Sequence, residues 1–217
     1  MTLDKKDNSN KIILDLCGGT GSWSMPYKEA GYDVRLVTTP ENDVRTYKLP
    51  DEPIYGILAA PPCTMFSLAR TTAKTPRDFN EGMEIVEACL NLIWQARKRG
   101  KLAFWALENP MGYLRQFLGK PPFTFTPTDF GDRYTKKTDI WGYFNYPVKR
   151  SISLSEEEEQ KIKRGHGNPT PLTQEERHRM SINNRLLPNI EGLRLTVAAR
   201  RAITPQGFAL AFYKANK

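Results

Sequence analysis

Ile54-Tyr55-Gly56-Ile57-Leu58-Ala59-Ala60-Pro61-Pro62-Cys63 is the stretch from which the fold is read. A short apolar run closed by prolines reads as a strand buried on both faces, as in a parallel sheet. Pro61 and Pro62 fix the backbone and lack N–H donors, so the strand stops there. In an open α/β sheet, ligands bind at the carboxyl ends of the strands. A thiol on a rigid turn at such an end is a candidate nucleophile. A free cysteine in that place also suits a small buried hydrophobe, so Cys63 needs support from the rest of the chain.

Working outward, Ile12 to Leu16, Asp33 to Thr38, Leu102 to Leu107 and Thr138 to Phe144 read as further strands. Trp23 to Ala30 reads as a short helix closed by Gly31. The clearest helix follows Thr75, with Thr75 as N-cap, Pro76 at the first helical position and Asp78 three residues past the cap. Val86, Leu90, Ile93 and Arg97 recur at helical spacing, with Met83 and Cys89 on a neighbouring stripe. Cys89 is therefore a core position. Gly100 ends the helix, after Arg97, Lys98 and Arg99 favour its C-terminal dipole. Alternating strands and helices predict an α/β fold, with a mostly parallel sheet and helices on both faces.

The 217 residues suffice for one core with a small appendage. The expected division is a main α/β unit over 1–148, a polar irregular region over 149–200 and an apolar helical tail over 201–217. A composition of 39% hydrophobic and 26% charged residues places the chain among ordinary soluble proteins. No apolar run reaches membrane-spanning length, and Met1 to Lys11 lacks a signal-peptide core, so a cytoplasmic location is expected. Cys17, Cys63 and Cys89 are odd in number and widely spaced, against a disulfide framework or a closed zinc site. His166 and His178 read as surface residues, and no metal is expected. A net charge of +8 suits a polyanionic partner.

Three more motifs fall at predicted strand ends. Leu14-Asp15-Leu16-Cys17-Gly18-Gly19-Thr20-Gly21 is a glycine turn that lets backbone approach a ligand. Asp15 beside that turn suits a cationic ligand group, such as the ammonium of S-adenosylmethionine, better than a pyrophosphate. Asp43 in Asn42-Asp43-Val44 could accept from an adenine amino group, with Val44 against the ring; an Asx turn is the alternative. Glu108, in Ala106-Leu107-Glu108-Asn109-Pro110, emerges from an apolar wall, where burial would raise its pKa and make it a proton donor. It could equally cap the next helix.

The order LDLCGGTGSWS, NDV, APPCTMFS, ENP resembles the DNA cytosine 5-methyltransferase family, over about residues 11–145. The tail RRAITPQGFALAFYKAN resembles that family's last motif, which folds back on the cofactor site. The resemblance implies a Rossmann-like fold that binds S-adenosylmethionine through Asp15, Leu16, Cys17, Gly18, Gly19, Gly21, Trp23, Asp43, Val44 and Pro61. It implies Cys63 as nucleophile, presented by Pro62, with Glu108 donating to cytosine nitrogen 3 and Asn109 holding the Pro61-Pro62-Cys63 turn. Duplex DNA with its target cytosine flipped out is the implied partner. Residues 64–75 would form a loop closing over the base, with Ser67, Arg70 and Lys74 on the DNA.

Departures from the family pattern are specific. The second strand ends in Thr38-Thr39, with Glu41 a little later, where the family has a ribose-binding acid. The family's Glu-Asn-Val is Glu-Asn-Pro. Its Gln-x-Arg-x-Arg segment appears as Tyr134-Thr135-Lys136-Lys137-Thr138, so Lys136 (toward DNA) or Lys137 (toward the base) replaces an arginine without its planar fork. The target-recognition region shrinks to about 149–200. That predicts a short or relaxed recognition sequence and a small, monomeric, bacteriophage-like form in a bacterial cytoplasm. Rival expectations are a same-fold enzyme acting on RNA or a free pyrimidine nucleotide, and a non-catalytic DNA-binding relative.

Overall fold

Burial separates the strands from the rest of the chain, because β1 (Ile12–Leu16) is buried at every position and β3 (Ile54–Ala59) at all but Tyr55. The structure, a computed structural model, describes residues 7–71, 73–157, 159–160 and 202–217. Most of the expected recognition region, His166 and His178 lie outside these residues. The remaining elements are α1 (Met25–Glu29), β2 (Asp33–Val37), α2 (Phe79–Lys98), β4 (Phe104–Pro110), α3 (Leu114–Leu118), β5 (Phe123–Phe125), β6 (Thr138–Tyr143) and α4 (Gln206–Ala215).

The described residues fold as a mixed α/β protein around one six-stranded sheet, in the order β2-β1-β3-β4-β6-β5. Strands β2, β1, β3 and β4 pair in parallel. Strand β6 is antiparallel to β4, and β5 is antiparallel to β6. The expectation of a mostly parallel sheet therefore describes only the β2-β1-β3-β4 half. Thr138–Tyr143 joins as an antiparallel strand because the chain returns to β4 through α3 and β5, without the helical crossover a parallel neighbour needs. Its reversal brings Thr138 opposite Pro110, so the start of β6 shares an edge with the ends of β3 and β4.

Strand alternation sends side chains to two cores. Leu14, Leu16, Ile57 and Leu107 join Val86, Cys89 and Ile93 of α2 on one face. Ile13, Leu58, Ala106 and Ile140 join Tyr27 of α1 and Phe208 and Phe212 of α4 on the other. Helices thus cover both faces, and Cys89 is fully buried as expected. The tail is bound to the glycine-loop side of the sheet: Thr204 N–H donates to Ser22 Oγ at 2.9 Å, and the Tyr27 hydroxyl donates to the Asn216 carbonyl at 3.3 Å.

Helix α2 starts later than the Thr75-Pro76 signal predicts. Its N-cap is Asp78, whose carboxylate accepts from the N–H groups of Asn80 and Glu81 at 2.9 and 3.0 Å. An anion at a helix N-terminus satisfies orphan donors and meets the positive end of the dipole. Thr75 instead accepts from Arg70 through its hydroxyl. Among the described residues, no helix is long and apolar enough to cross a membrane.

Candidate active site

The turn carrying Cys63 is fixed from several sides. The Ala60 N–H still donates to Leu16 O at 2.9 Å, extending the β1–β3 ladder before the prolines end it. From Cys63 the chain makes one helical turn, with Phe66 N–H and Ser67 N–H donating to the Cys63 carbonyl at 3.0 and 2.8 Å. Asn109 Nδ2 donates to the Pro61 carbonyl at 3.0 Å, tying the turn to β4. The Tyr113 N–H donates to Phe66 O at 2.9 Å, and Ser67 bridges Gly112. A Cβ at Gly112 would meet Phe66 O at 2.3 Å, so this approach requires glycine. Phe66 is fully buried and stacks on Phe79 at 6.2 Å. Cys63 is left half-buried on a packed scaffold.

Glu108 lies in β4 rather than in a turn, paired with Ile140 of β6. Its side chain keeps only 15% exposure. Desolvation pushes its carboxyl above the usual carboxylate range; Lys136 pulls against this and the nearby Asp139 adds to it. Lys136 Nζ lies 3.8 Å from Glu108 Oε1. Asp139 is itself fully buried and held by Arg115 at 2.6 Å through both carboxylate oxygens. Lys137 is exposed, and its carbonyl accepts from the Met111 N–H at 2.9 Å. Segment 134–138 thus sits beside Glu108 only because β6 runs antiparallel.

The loop after β1 is built differently. Cys17 has φ +56°, and Gly19 and Gly21 have φ +53° and +68°. Asp15 is fully buried beneath this loop, its Oδ2 accepting from the Ser24 hydroxyl at 2.5 Å. A Cβ at Gly18 would lie 2.4 Å from the Asp15 carboxylate, so glycine lets the loop close over it. Burial raises the Asp15 pKa to about 7, against the Ser24 bonds that lower it. Leu16 is a core residue, and Trp23 packs against Phe212 at 5.4 Å. Asp15 Oδ1, Thr20 Oγ1 and Trp23 Nε1 are buried without a hydrogen-bond partner. Three such atoms around one glycine loop fit a polar ligand, since buried polar groups are normally satisfied.

Asp43 is engaged by Arg45, which donates from Nη2 at 2.5 Å and from Nε at 3.0 Å. The Arg45 side chain and backbone hydrogen bonds hold the Asp43 pKa down at about 2. The Arg45 N–H also bonds to Asp43 Oδ1 at 2.9 Å, forming the Asx turn named as the alternative. Val44 is buried beside it. Ser67 Oγ accepts from the Ala69 N–H at 3.2 Å, Arg70 donates to Thr75 at 2.8 Å, and Lys74 is exposed.

The structure therefore gathers the glycine loop, the Cys63 turn, Glu108 with Asn109, and Lys136 at one sheet edge. Sequence reasoning missed Ser24, Gly112, Tyr113 and Arg77. The Gly in Pro110-Met111-Gly112 was the available signal, since an isolated glycine beside a strand marks close backbone approach. No protein-family model matches the chain, and no curated protein matches it.

Proposed function

We propose that this protein is an S-adenosylmethionine-dependent DNA cytosine 5-methyltransferase on a Rossmann-like fold, acting on a cytosine flipped out of a DNA duplex. The observation that carries the reading is the shared placement of Cys63 and Glu108. The thiol stands on a turn bound to β4 through Asn109, and the next strand end supplies a carboxyl whose pKa desolvation raises.

Cytosine carbon 5 is a poor nucleophile. Addition of the Cys63 thiolate to carbon 6 forms an S–C bond and moves the ring electrons toward nitrogen 3. A neutral Glu108 donates a proton there and stabilises the adduct, leaving carbon 5 as the nucleophilic end of an enamine. A carboxylate already ionised at neutral pH could not do this, which is why the raised Glu108 pKa matters. Lys136, 3.8 Å away, limits that rise.

The residues around the glycine loop fit the cofactor. The loop backbone, Thr20 Oγ1 and Trp23 Nε1 would hold its polar groups, and Asp43 and Val44 lie in the loop that follows β2. When bound, S-adenosylmethionine supplies an electrophilic methyl group. Asp15 supports the loop from beneath, with Oδ1 as its one unengaged oxygen.

Bisulfite sequencing of DNA from bacterial cells expressing the protein tests the reading. Wild type is expected to leave protected cytosines, and Cys63→Ala none, with cofactor binding retained. Protected cytosines in the Cys63→Ala strain would contradict it.

A further inference from the structure

We propose that Arg77 is a positioning residue for the Cys63 thiol, a role that rests on the methyltransferase reading of this site. A single helical turn leaves its last carbonyls without partners inside the turn. The turn that begins at Cys63 ends in Met65, Phe66 and Ser67. Phe66 O is taken by the Tyr113 N–H at 2.9 Å. Arg77 serves the two on either side: Nη1 donates to Met65 O at 2.9 Å and Nη2 to Ser67 O at 2.8 Å. The guanidinium also lies 5.0 Å from the ring centroid of Tyr113, the residue whose N–H holds Phe66 O. Arg77 adjoins Asp78, the N-cap of α2, so the twenty-residue helix anchors it.

The chain leaves this turn at Ser67 and returns at Arg77, and the guanidinium ties the return point to the departure point. Asn109 fixes the turn from the proline side and Arg77 from the other, so the turn carrying the thiol is held by three side-chain bonds to backbone carbonyls. Both ends of the guanidinium fork are used. An ammonium is a point charge and does not reproduce that planar two-carbonyl geometry while stacking on an aromatic ring. The inward engagement also separates Arg77 from Arg70, which bonds to Thr75, and from the exposed Lys74.

Three variants test this: Arg77→Ala, Arg77→Lys and, for comparison, Lys74→Ala. Single-turnover methyl transfer, DNA affinity against salt, thermal unfolding and the rate of Cys63 alkylation by iodoacetamide are measured on the full chain. Alkylation is read by peptide mass, so it reports the thiol whether or not any DNA is methylated. Arg77→Ala and Arg77→Lys are both expected to slow single-turnover transfer about 10- to 100-fold, as misplaced reacting groups do. They should change Cys63 alkylation several-fold while leaving the salt slope of DNA binding as in wild type. An unchanged alkylation rate in folded Arg77→Ala overturns the proposal. So does wild-type transfer by Arg77→Lys. So does a salt slope reduced by about one, the mark of a lost phosphate contact. If wild type transfers no methyl group, the methyltransferase reading fails, and the alkylation rate still decides whether Arg77 places the thiol.

Discussion

The loops after β1 and β3 stand side by side at one sheet edge and are built on opposite plans. The turn after β3 has its backbone carbonyls at Pro61, Cys63, Met65, Phe66 and Ser67 all engaged by protein donors. The loop after β1 keeps three buried polar side-chain atoms without partners, at Asp15, Thr20 and Trp23. A turn whose carbonyls are satisfied at five positions is held in one geometry, which suits a group whose position decides a reaction. An incompletely satisfied one retains hydrogen-bonding capacity for something that arrives. On the proposed function, the difference gives the two loops different work: one places a reactive group, the other receives a ligand.

The largest expected effect comes from the satisfied side. Glu108→Gln keeps the shape but lacks a carboxyl proton, and single-turnover transfer is expected to fall about 100- to 1,000-fold. Wild-type transfer should decline as pH rises through the elevated Glu108 pKa, because the ionised form has no proton to donate; the variant should lack that limb. A variant retaining both the rate and the pH limb would remove Glu108 from the chemistry.

Gly112→Ala attacks the packing of the same turn. Its Cβ would meet Phe66 O at 2.3 Å, with backbone on both sides of the clash. A loss of about 1–3 kcal/mol in stability is expected from such overpacking, with transfer reduced more than cofactor affinity. Calorimetry and cofactor titration separate the two, and equal loss of both functions would erase the contrast between the loops.

The receiving loop gives an effect of opposite sign, seen in stability rather than in transfer. Asp15 has a folded pKa of about 7, above the ordinary carboxylate value, so the folded state holds its proton longer than the unfolded chain. Its contribution is therefore favourable below the unfolded pKa and is lost as pH rises toward 7. Asp15→Asn can still accept from Ser24 and cannot ionise. Without ligand, it should be more stable than wild type at pH 8, by on the order of 4 kcal/mol, and nearly equal to it near pH 4. Thermal unfolding across pH 4–8 checks this. A variant less stable at pH 8 would mean that an ionised Asp15 supports the loop.

Much of the parallel half was legible in the sequence. Ile54–Ala60 is a continuous apolar run ended by prolines, and Ile12–Leu16 is apolar but for Asp15, with Gly18 soon after; such runs have few other solutions. Thr138–Tyr143 was legible as a strand but not in direction, because direction depends on how α3 and β5 return the chain. Phe123–Phe125 is too short to show a period. The Thr75-Pro76 signal gave way to Asp78, whose carboxylate reaches two helix N–H groups. Within the site, the strand-end placement of Cys63 and Glu108 was legible from residue type, and the Asn109 contact to the turn only from the family resemblance. The Arg77 and Tyr113 contacts to the turn were not, since they arise where separate segments meet. Asp43 was legible in both of its readings, and the structure shows the Asx turn closed by Arg45.

The central claim is that Cys63 attacks a cytosine ring. Duplex DNA carrying 5-fluorocytosine at a site identified by bisulfite sequencing, incubated with the protein and S-adenosylmethionine, tests it most directly. Fluorine at carbon 5 blocks release once the ring has reacted. A denaturation-resistant protein–DNA complex whose peptide map places the bond on Cys63 is the expected result. No complex, or one joined through another residue, would contradict the account.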